Sequence, residues 1–450
     1  MKSHICRAGV GRRTITPPKG VYLIGYGDRV RGNQGVHDEL FATALVFDDG
    51  VVQVAIVALD LLTINEFVVD RVRAAVAPIE VVLCCSHTHS GPIASADERS
   101  SRRNRTYIDS LVDQVARAIR QAAAEVVPVT VECATGTCDV GINRRELQPD
   151  GSMEIGRNPD GPIDRSLPVV TVWRDAPNDT VTDTATDTAA TRTPLATIVN
   201  FGCHSTVLGP GNQLVSADWI GPMREQVDAA IGGTTLFLQG ASANVNPDLA
   251  WDTARAFAQV DEQGSRVATA VIDAIESGGA AVSVTPIRVE RVDAWIPTQA
   301  AVTTDTPPKG YIEPLLHLAG LPRFLAFLAE PLLRRRYPWS PRIEARDGRW
   351  AVPMRITVIR LGELALVTYA AETFTEIGMA AKSLSPAEHT MFASVSDGCI
   401  SYLATESAHA EGGYEVDVAP WAYRYPGKLD PSGEAVAVAA TAEAFARAWR

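Results

Sequence analysis

The chain has 450 residues, 46% hydrophobic and 21% charged, with a formal net charge of −12. That composition buries a sizeable core and excludes a disordered protein, and the length suits two or three average domains or one large α/β enzyme core with insertions. The acidic balance argues against sequence-independent binding to nucleic acid or to an anionic membrane surface, and no uninterrupted apolar stretch of about 20 residues is present to span a bilayer.

The first segment, Met1 to Arg13, is short, polar and basic, with no apolar run after it of the kind a signal peptide needs. The seven cysteines are an odd count, and Cys84, Cys85, Cys133, Cys203 and Cys399 sit in apolar, strand-like surroundings. Reduced, buried cysteine in a cytoplasmic protein is the expectation. Cys133 and Cys138 lack a partner pair at zinc-site spacing and read as structural.

Val51 to Asp60 predicts a buried strand, Asn65 to Val76 a helix through Phe67, Val68, Val72 and Val76, and Val81 to Cys85 the next strand. A right-handed crossover makes these strands parallel, so Asp60 and His87 leave the sheet at one carboxyl edge, where α/β enzymes place ligands. Ile108, Leu111, Val115, Ala118, Ile119 and Ala122 then mark an amphipathic helix ending near Pro128. A second unit repeats the plan with strand Leu195 to Cys203, helix Trp219 to Ile231 and strand Thr234 to Gln239. Met354 to Arg360 and Leu364 to Tyr369 read as a hairpin, followed by the helical stretch Phe374 to Leu384 and a strand near Met391 to Val395. The fold expectation is α/β, a mixed β-sheet core flanked by helices, with residues 1–450 forming one domain. Asn178 to Pro194, rich in Thr, Asp and Ala, reads as a solvated loop, and Leu-rich Thr303 to Trp350 as a helical insertion or a substrate-covering lid.

The chemistry concentrates at strand ends. Only eight histidines occur in the chain, yet His87 and His89 lie two residues apart in Cys84-Cys85-Ser86-His87-Thr88-His89-Ser90-Gly91-Pro92. In extended backbone such residues face one side, so the pair reads as two metal ligands, as one ligand beside a proton-transfer group, or as a hydrogen-bonded structural pair. His204 ends a later strand, and Glu372 and Tyr402 follow others. Asp60 and Asp218 are candidates to orient a ligand imidazole.

Taken in order, Ser86-His87-Thr88-His89-Ser90-Gly91-Pro92, Asn143-Arg144, His204, Ala371-Glu372 and Ser401-Tyr402 resemble the neutral, non-lysosomal ceramidase family, which cleaves the amide of N-acyl sphingoid bases. Ile15-Thr16-Pro17-Pro18, Gly25-Tyr26-Gly27, Gly35-Val36-His37-Asp38 and Glu411-Gly412-Gly413-Tyr414-Glu415 extend the resemblance over about Thr14 to Tyr425. It implies a zinc ion on His87, His204, Glu372 and Tyr402, with His89 as a catalytic neighbour and Arg144 as an active-site arginine. Two neutral imidazoles and one carboxylate leave a site of charge +1, in which bound water has a pKa of about 7.

Three features depart from the family's pattern. Where ceramidases carry a serine before proline, the segment Gln239-Gly240-Ala241-Ser242-Ala243-Asn244-Val245-Asn246-Pro247 has Asn246. Asn244 and Asn246 are then expected to donate hydrogen bonds to a carbonyl or oxyanion, as attack by activated water requires. The further expectations are that the chain ends soon after the catalytic region, without the family's additional β-sandwich domain, and that it carries no signal peptide. The expectation is a cytoplasmic zinc-dependent amidohydrolase acting on a small soluble substrate, with no nucleic-acid partner and no stable membrane insertion. Two other readings stand beside it: a metal-dependent esterase, lactonase, acyl-transfer or cyclising enzyme, and a non-catalytic ligand-binding homologue.

Overall fold

The structure, a computed structural model, describes residues 6–26, 29, 31–95, 102–175, 192–249, 255–305, 342–423 and 425–450. Strands Gln53–Leu59 and Glu80–Cys85 pair in parallel around the helix Glu66–Val76, as the apolar spacing predicts. Strands Thr193–Phe201 and Thr234–Gln239 do the same around Ile220–Ile231. Both units belong to one nine-stranded sheet with the order Thr234–Gln239, Thr193–Phe201, Ser166–Arg174, Val127–Thr137, Arg7–Thr14, Phe41–Asp48, Gln53–Leu59, Glu80–Cys85. The ninth strand, Ala280–Val282, lies on Val127–Thr137. The edge strand Thr234–Gln239 packs against Gln53–Leu59 and Glu80–Cys85, so the sheet curls and the carboxyl ends of its two parallel units meet.

A second sheet runs Ile287–Ala301, Arg349–Leu361, Leu364–Tyr369, His389–Ala393, containing the expected hairpin and a closing parallel pair. Alternation along each strand explains the layering. Val54, Ile56, Val82 and Cys84 face Ile359, Leu361, Leu364 and Leu366 of the second sheet. Ala55, Val57, Leu83 and Cys85 face Val68 and Val72 of the helix Glu66–Val76 and Leu111 and Val115 of the helix Arg102–Ala124. On the far side of the second sheet, Ala437, Ala444 and Phe445 of the helix Gly433–Ala448 cover Val352, Met354 and Val358. The layers are helix, sheet, sheet, helix, with strands apolar on both faces because both faces are covered.

The strand Ile287–Ala301 was not expected, because Arg288, Glu290, Arg291 and Asp293 interrupt its apolar pattern. Most of Asn178 to Pro194 and of Thr303 to Trp350 lies outside the described residues. Their described ends are strand: Thr193 and Pro194 begin Thr193–Phe201, while Glu344–Arg346 pairs with Arg349–Leu361. All seven cysteines are buried and free. No described helix is long and apolar enough to cross a membrane.

Candidate metal centre

Two loops build the centre where the sheet edges meet. The chain leaving Glu80–Cys85 and the chain leaving Thr193–Phe201 run side by side through a parallel bridge between Thr88 and Ser205. The Ser205 hydroxyl donates to the Ser86 carbonyl at 3.0 Å, and the His89 N–H to the Ser205 carbonyl at 3.3 Å. The extended backbone expected at the motif is corrected: His87 has φ +62°, a left-handed conformation costing about 1–3 kcal/mol that persists only where the surroundings hold it. The holding groups are the Leu61 carbonyl, which accepts from the His87 N–H at 2.9 Å, and the Leu62 carbonyl, which accepts from its ring Nδ1 at 3.0 Å. His87 and His89 still share a pocket, their rings edge to face with centroids 5.0 Å apart.

A carbonyl can only accept, so Nδ1 of His87 carries a proton, and in the neutral ring Nε2 presents a lone pair. The same holds for His204, whose Nδ1 donates to the carbonyls of Ser242 at 2.7 Å and Val245 at 3.1 Å. The two bare Nε2 atoms face each other at 3.2 Å. Oε2 of Glu372 lies 3.3 Å from Nε2 of His87 and 3.6 Å from Nε2 of His204, is buried, and has no hydrogen-bond partner. Three electron-rich atoms converging out of water repel one another, and Arg144, which donates to His204 Nε2 at 3.2 Å, relieves only one of them, so a cation among all three is favoured. This donor set fits a divalent metal of the zinc type.

Glu372 and Tyr402 are register partners in a two-residue parallel pairing, Glu372–Thr373 on Tyr402–Leu403, which brings the Tyr402 hydroxyl against Glu372. Burial alone would raise the Glu372 carboxyl; protonated His87 and His204 outweigh that and hold it well below the usual carboxylate range, a stabilisation that a bound cation would have to supply when the rings are neutral. Burial, then Glu372, pushes the Tyr402 phenol well above its ordinary value. Burial, reinforced by Arg144, pushes His204 down to about 4.

His89 is the third imidazole of the cluster: one ring nitrogen from each of His87, His89 and His204 lies within 4.8 Å of the others. Both His89 ring nitrogens are buried and lack partners. Burial, then His87 and His204, holds it well below the ordinary histidine value, so it is neutral near pH 7. Its ring packs on Tyr26 with centroids 5.1 Å apart and on Gly25, where a Cβ would come within 2.6 Å of His89 Nδ1. Only glycine fits there, and its φ of +113° is one that side chains disfavour.

Arg144 reaches the cluster from the strand Gly141–Leu147. Its Nη1 lies 3.2 Å from His204 Nε2 and donates to Asn246 Oδ1 at 3.3 Å, while Nη2 is buried without a hydrogen-bond partner. Asn246 therefore stands beside Arg144. Asn244 does not join the centre: its Nδ2 donates to Glu376 at 2.9 Å and its Oδ1 accepts the Thr375 N–H at 2.9 Å. That side chain is spent capping the helix Thr375–Ser383. The orienting role considered for Asp60 and Asp218 is also corrected, since backbone carbonyls orient both imidazoles. Asp60 binds Arg224 and the Phe41 N–H, and Asp218 accepts from the N–H groups of Val207, Leu208 and Trp219.

Sequence reasoning gave no individual role to Tyr423, whose hydroxyl donates to Glu372 Oε1 at 3.4 Å, or to Tyr414, whose ring lies 5.7 Å from that of Tyr402. Tyr414 belongs to the Glu411–Glu415 segment already singled out; nothing local in the sequence marks Tyr423.

Comparison with known proteins identifies the family. The sequence model described as neutral/alkaline non-lysosomal ceramidase, N-terminal, matches residues 6–237, more than half of the chain. Neutral ceramidase from Pseudomonas aeruginosa is similar in structure, with a TM-score of 0.72 at 21% identity, covering 98% of this chain and 75% of that one. A ceramidase complexed with C2 is similar at a TM-score of 0.74 and 20% identity, with the same coverage. Among curated proteins, no sequence match is found. The chain belongs to the neutral/alkaline non-lysosomal ceramidase family.

Proposed function

We propose that the protein is a zinc-dependent hydrolase that cleaves the amide bond of a small, soluble N-acyl substrate with activated water. The observation that carries this reading is the convergence of two unprotonated imidazole nitrogens and an unpartnered carboxylate oxygen within 3.6 Å. His87, His204 and Glu372 would hold the metal, with Tyr402 beside them. A zinc ion there supplies a Lewis acid for the scissile carbonyl and lowers the pKa of water to about 7.

The remaining chemistry belongs to the chain. Neutral His89, with free ring nitrogens, accepts the proton of the attacking water and returns it to the leaving nitrogen. Arg144 stays charged throughout, and its unpartnered Nη2 can donate to the oxygen that gains charge when the carbonyl becomes tetrahedral. Asn246 accepts from Nη1 and leaves that second nitrogen for substrate. Among the described residues, no serine hydroxyl or cysteine thiol hydrogen-bonds to His89, and the Ser242 hydroxyl accepts from Gln239 at 2.6 Å while its carbonyl orients His204. That arrangement supports direct attack by water. A net charge of −12 disfavours attraction to an anionic bilayer, which supports a soluble substrate.

The test is product analysis with matched panels of N-acyl amines and acyl esters, using zinc-loaded protein and its His87→Ala variant. Release of free amine, abolished by the variant, supports the reading. Turnover of esters alone would move the bond from amide to ester, and equal turnover by the variant would remove the metal from the reaction.

A further inference from the structure

The Arg144 guanidinium sits next to a cation site, an arrangement that is unfavourable unless something cancels its charge. Its Nη1 lies 3.2 Å from His204 Nε2, an atom proposed to hold the metal. The cancelling group is Glu415, 2% exposed, whose Oε1 accepts from Arg144 Nε at 2.8 Å and whose Oε2 accepts from Arg145 Nη1 at 2.9 Å. Neighbouring strand residues ordinarily point to opposite faces, so two consecutive arginines on one carboxylate need a local distortion. The distortion is present: the pairing of Gly141–Leu147 with Met153–Asn158 shifts register between Asn143 and Arg145, and the Arg144 N–H donates instead to the Asn244 carbonyl at 2.8 Å. Such bulges re-aim side chains beside active sites.

Glu415 comes from a π-helical turn, Tyr414–Val418, a feature frequent at functional sites. Arg145 fastens that turn: its Nη2 donates to Glu411 at 3.0 Å and to the Gly412 carbonyl at 2.8 Å. The same turn places Tyr414 against Tyr402.

We infer that Glu415 is a positioning residue that aims Arg144 into the centre and supplies the countercharge that lets a divalent cation bind 3.2 Å-distant His204 beside a permanent guanidinium. Its zinc consequence rests on the metal-centre reading above, whereas its positioning consequence does not. Arg145 cannot replace it, being a second positive charge. With Glu415 neutralised, Arg144 loses the carboxylate it shares with Arg145, and Arg145 keeps the half-exposed Glu411. At separations of several ångströms in a buried setting, one uncompensated charge changes cation affinity by at least about tenfold.

The experiment uses the full-length protein in two measurements. In metal-free protein, the Arg144 Nε–H resonance, assigned by its loss in Arg144→Met, is expected to exchange slowly with water in the wild type and rapidly in Glu415→Gln. Unchanged protection in Glu415→Gln overturns the positioning role. Zinc affinity is then measured by competition with a chromophoric chelator. Glu415→Gln is expected to bind at least tenfold more weakly than wild type, and Glu415→Asp, which keeps the charge, within threefold of it. Arg144→Met should bind no more weakly than wild type, and the Arg144→Met/Glu415→Gln double variant, whose net charge equals that of wild type, should bind within threefold of wild type. An unchanged affinity in folded Glu415→Gln, or a tenfold loss in Arg144→Met, overturns the countercharge role. If Glu415→Gln does not fold, the Glu415→Asp and Arg144→Met values decide. Wild-type protein that binds no zinc defeats the metal reading alone, and the resonance measurement still judges the positioning of Arg144.

Discussion

Nε2 of His87 and Nε2 of His204 face each other at 3.2 Å, and in the neutral rings each presents a lone pair because the opposite ring nitrogen donates to a backbone carbonyl. Two lone pairs at that distance, with the Glu372 carboxylate beside both, form a site whose electrostatic conflict a cation relieves. The following outcomes depend on that relationship.

Zinc should stabilise the fold. A ligand that binds only the native state at a hundred times its dissociation constant adds about 2.7 kcal/mol. Thermal unfolding of chelated and zinc-loaded protein should therefore differ by several degrees, and the difference should vanish in His87→Ala. A variant that keeps the full shift would place the stabilising zinc elsewhere.

Chelated protein should lose stability in acid through His204. Its folded pKa, pushed down to about 4, lies below the ordinary 6.5, so the native state favours the neutral ring. The associated stability is present above pH 6.5 and is lost as pH falls toward 4, amounting to roughly 3 kcal/mol. Urea unfolding at pH 7 and pH 4.5 measures it, and His204→Gln should remove much of the difference.

The cluster contains two possible third ligands, His89 and Glu372, and substitutions separate them. Glu372→Gln should weaken zinc binding by at least about tenfold, since the only carboxylate of the set loses its charge. His89→Gln should retain zinc but lower kcat by about 10²–10⁴-fold, the range for a missing acid or base. Loss of zinc in His89→Gln would make it a ligand.

Gly25→Ala should act on His89 without touching the metal ligands. The new Cβ would lie 2.6 Å from His89 Nδ1, at a φ of +113°. Activity is expected to fall at least about tenfold, with zinc content unchanged and a stability cost of about 1–2 kcal/mol. Full activity would show that the His89 ring position is not critical.

Asn244 and Asn246 should separate by effect. Asn244→Ala removes both hydrogen bonds at the start of the helix Thr375–Ser383 and should cost about 1–3 kcal/mol of stability. Asn246→Ala should leave stability nearly unchanged and lower kcat, because its tie is to Arg144. Denaturation midpoints and steady-state kinetics on both variants check the split.

Much of this was legible in the sequence, for identifiable reasons. The units around Glu66–Val76 and Ile220–Ile231 combine apolar strands with helical spacing, and both patterns are local. His87, His204, Glu372 and Tyr402 all follow predicted strands, so one sheet edge was the natural meeting place. The left-handed turn at His87 was hidden because histidine carries no local signal for it. The orienting groups were hidden because they are backbone carbonyls of Leu62, Ser242 and Val245, which every residue possesses. Side-chain commitments over long distances were equally silent: Asn244 looked as available as Asn246 until the Thr375 N–H claimed its oxygen. The strand Ile287–Ala301 was concealed by charged residues on its partly covered face.

The most direct test of the central claim is an anomalous-scattering map from crystals of zinc-loaded protein, recorded on both sides of the zinc absorption edge. A single peak bonded to Nε2 of His87, Nε2 of His204 and the Glu372 carboxylate is the predicted result. A map with no zinc among these atoms, or with zinc held by His89 in place of Glu372, would contradict the account.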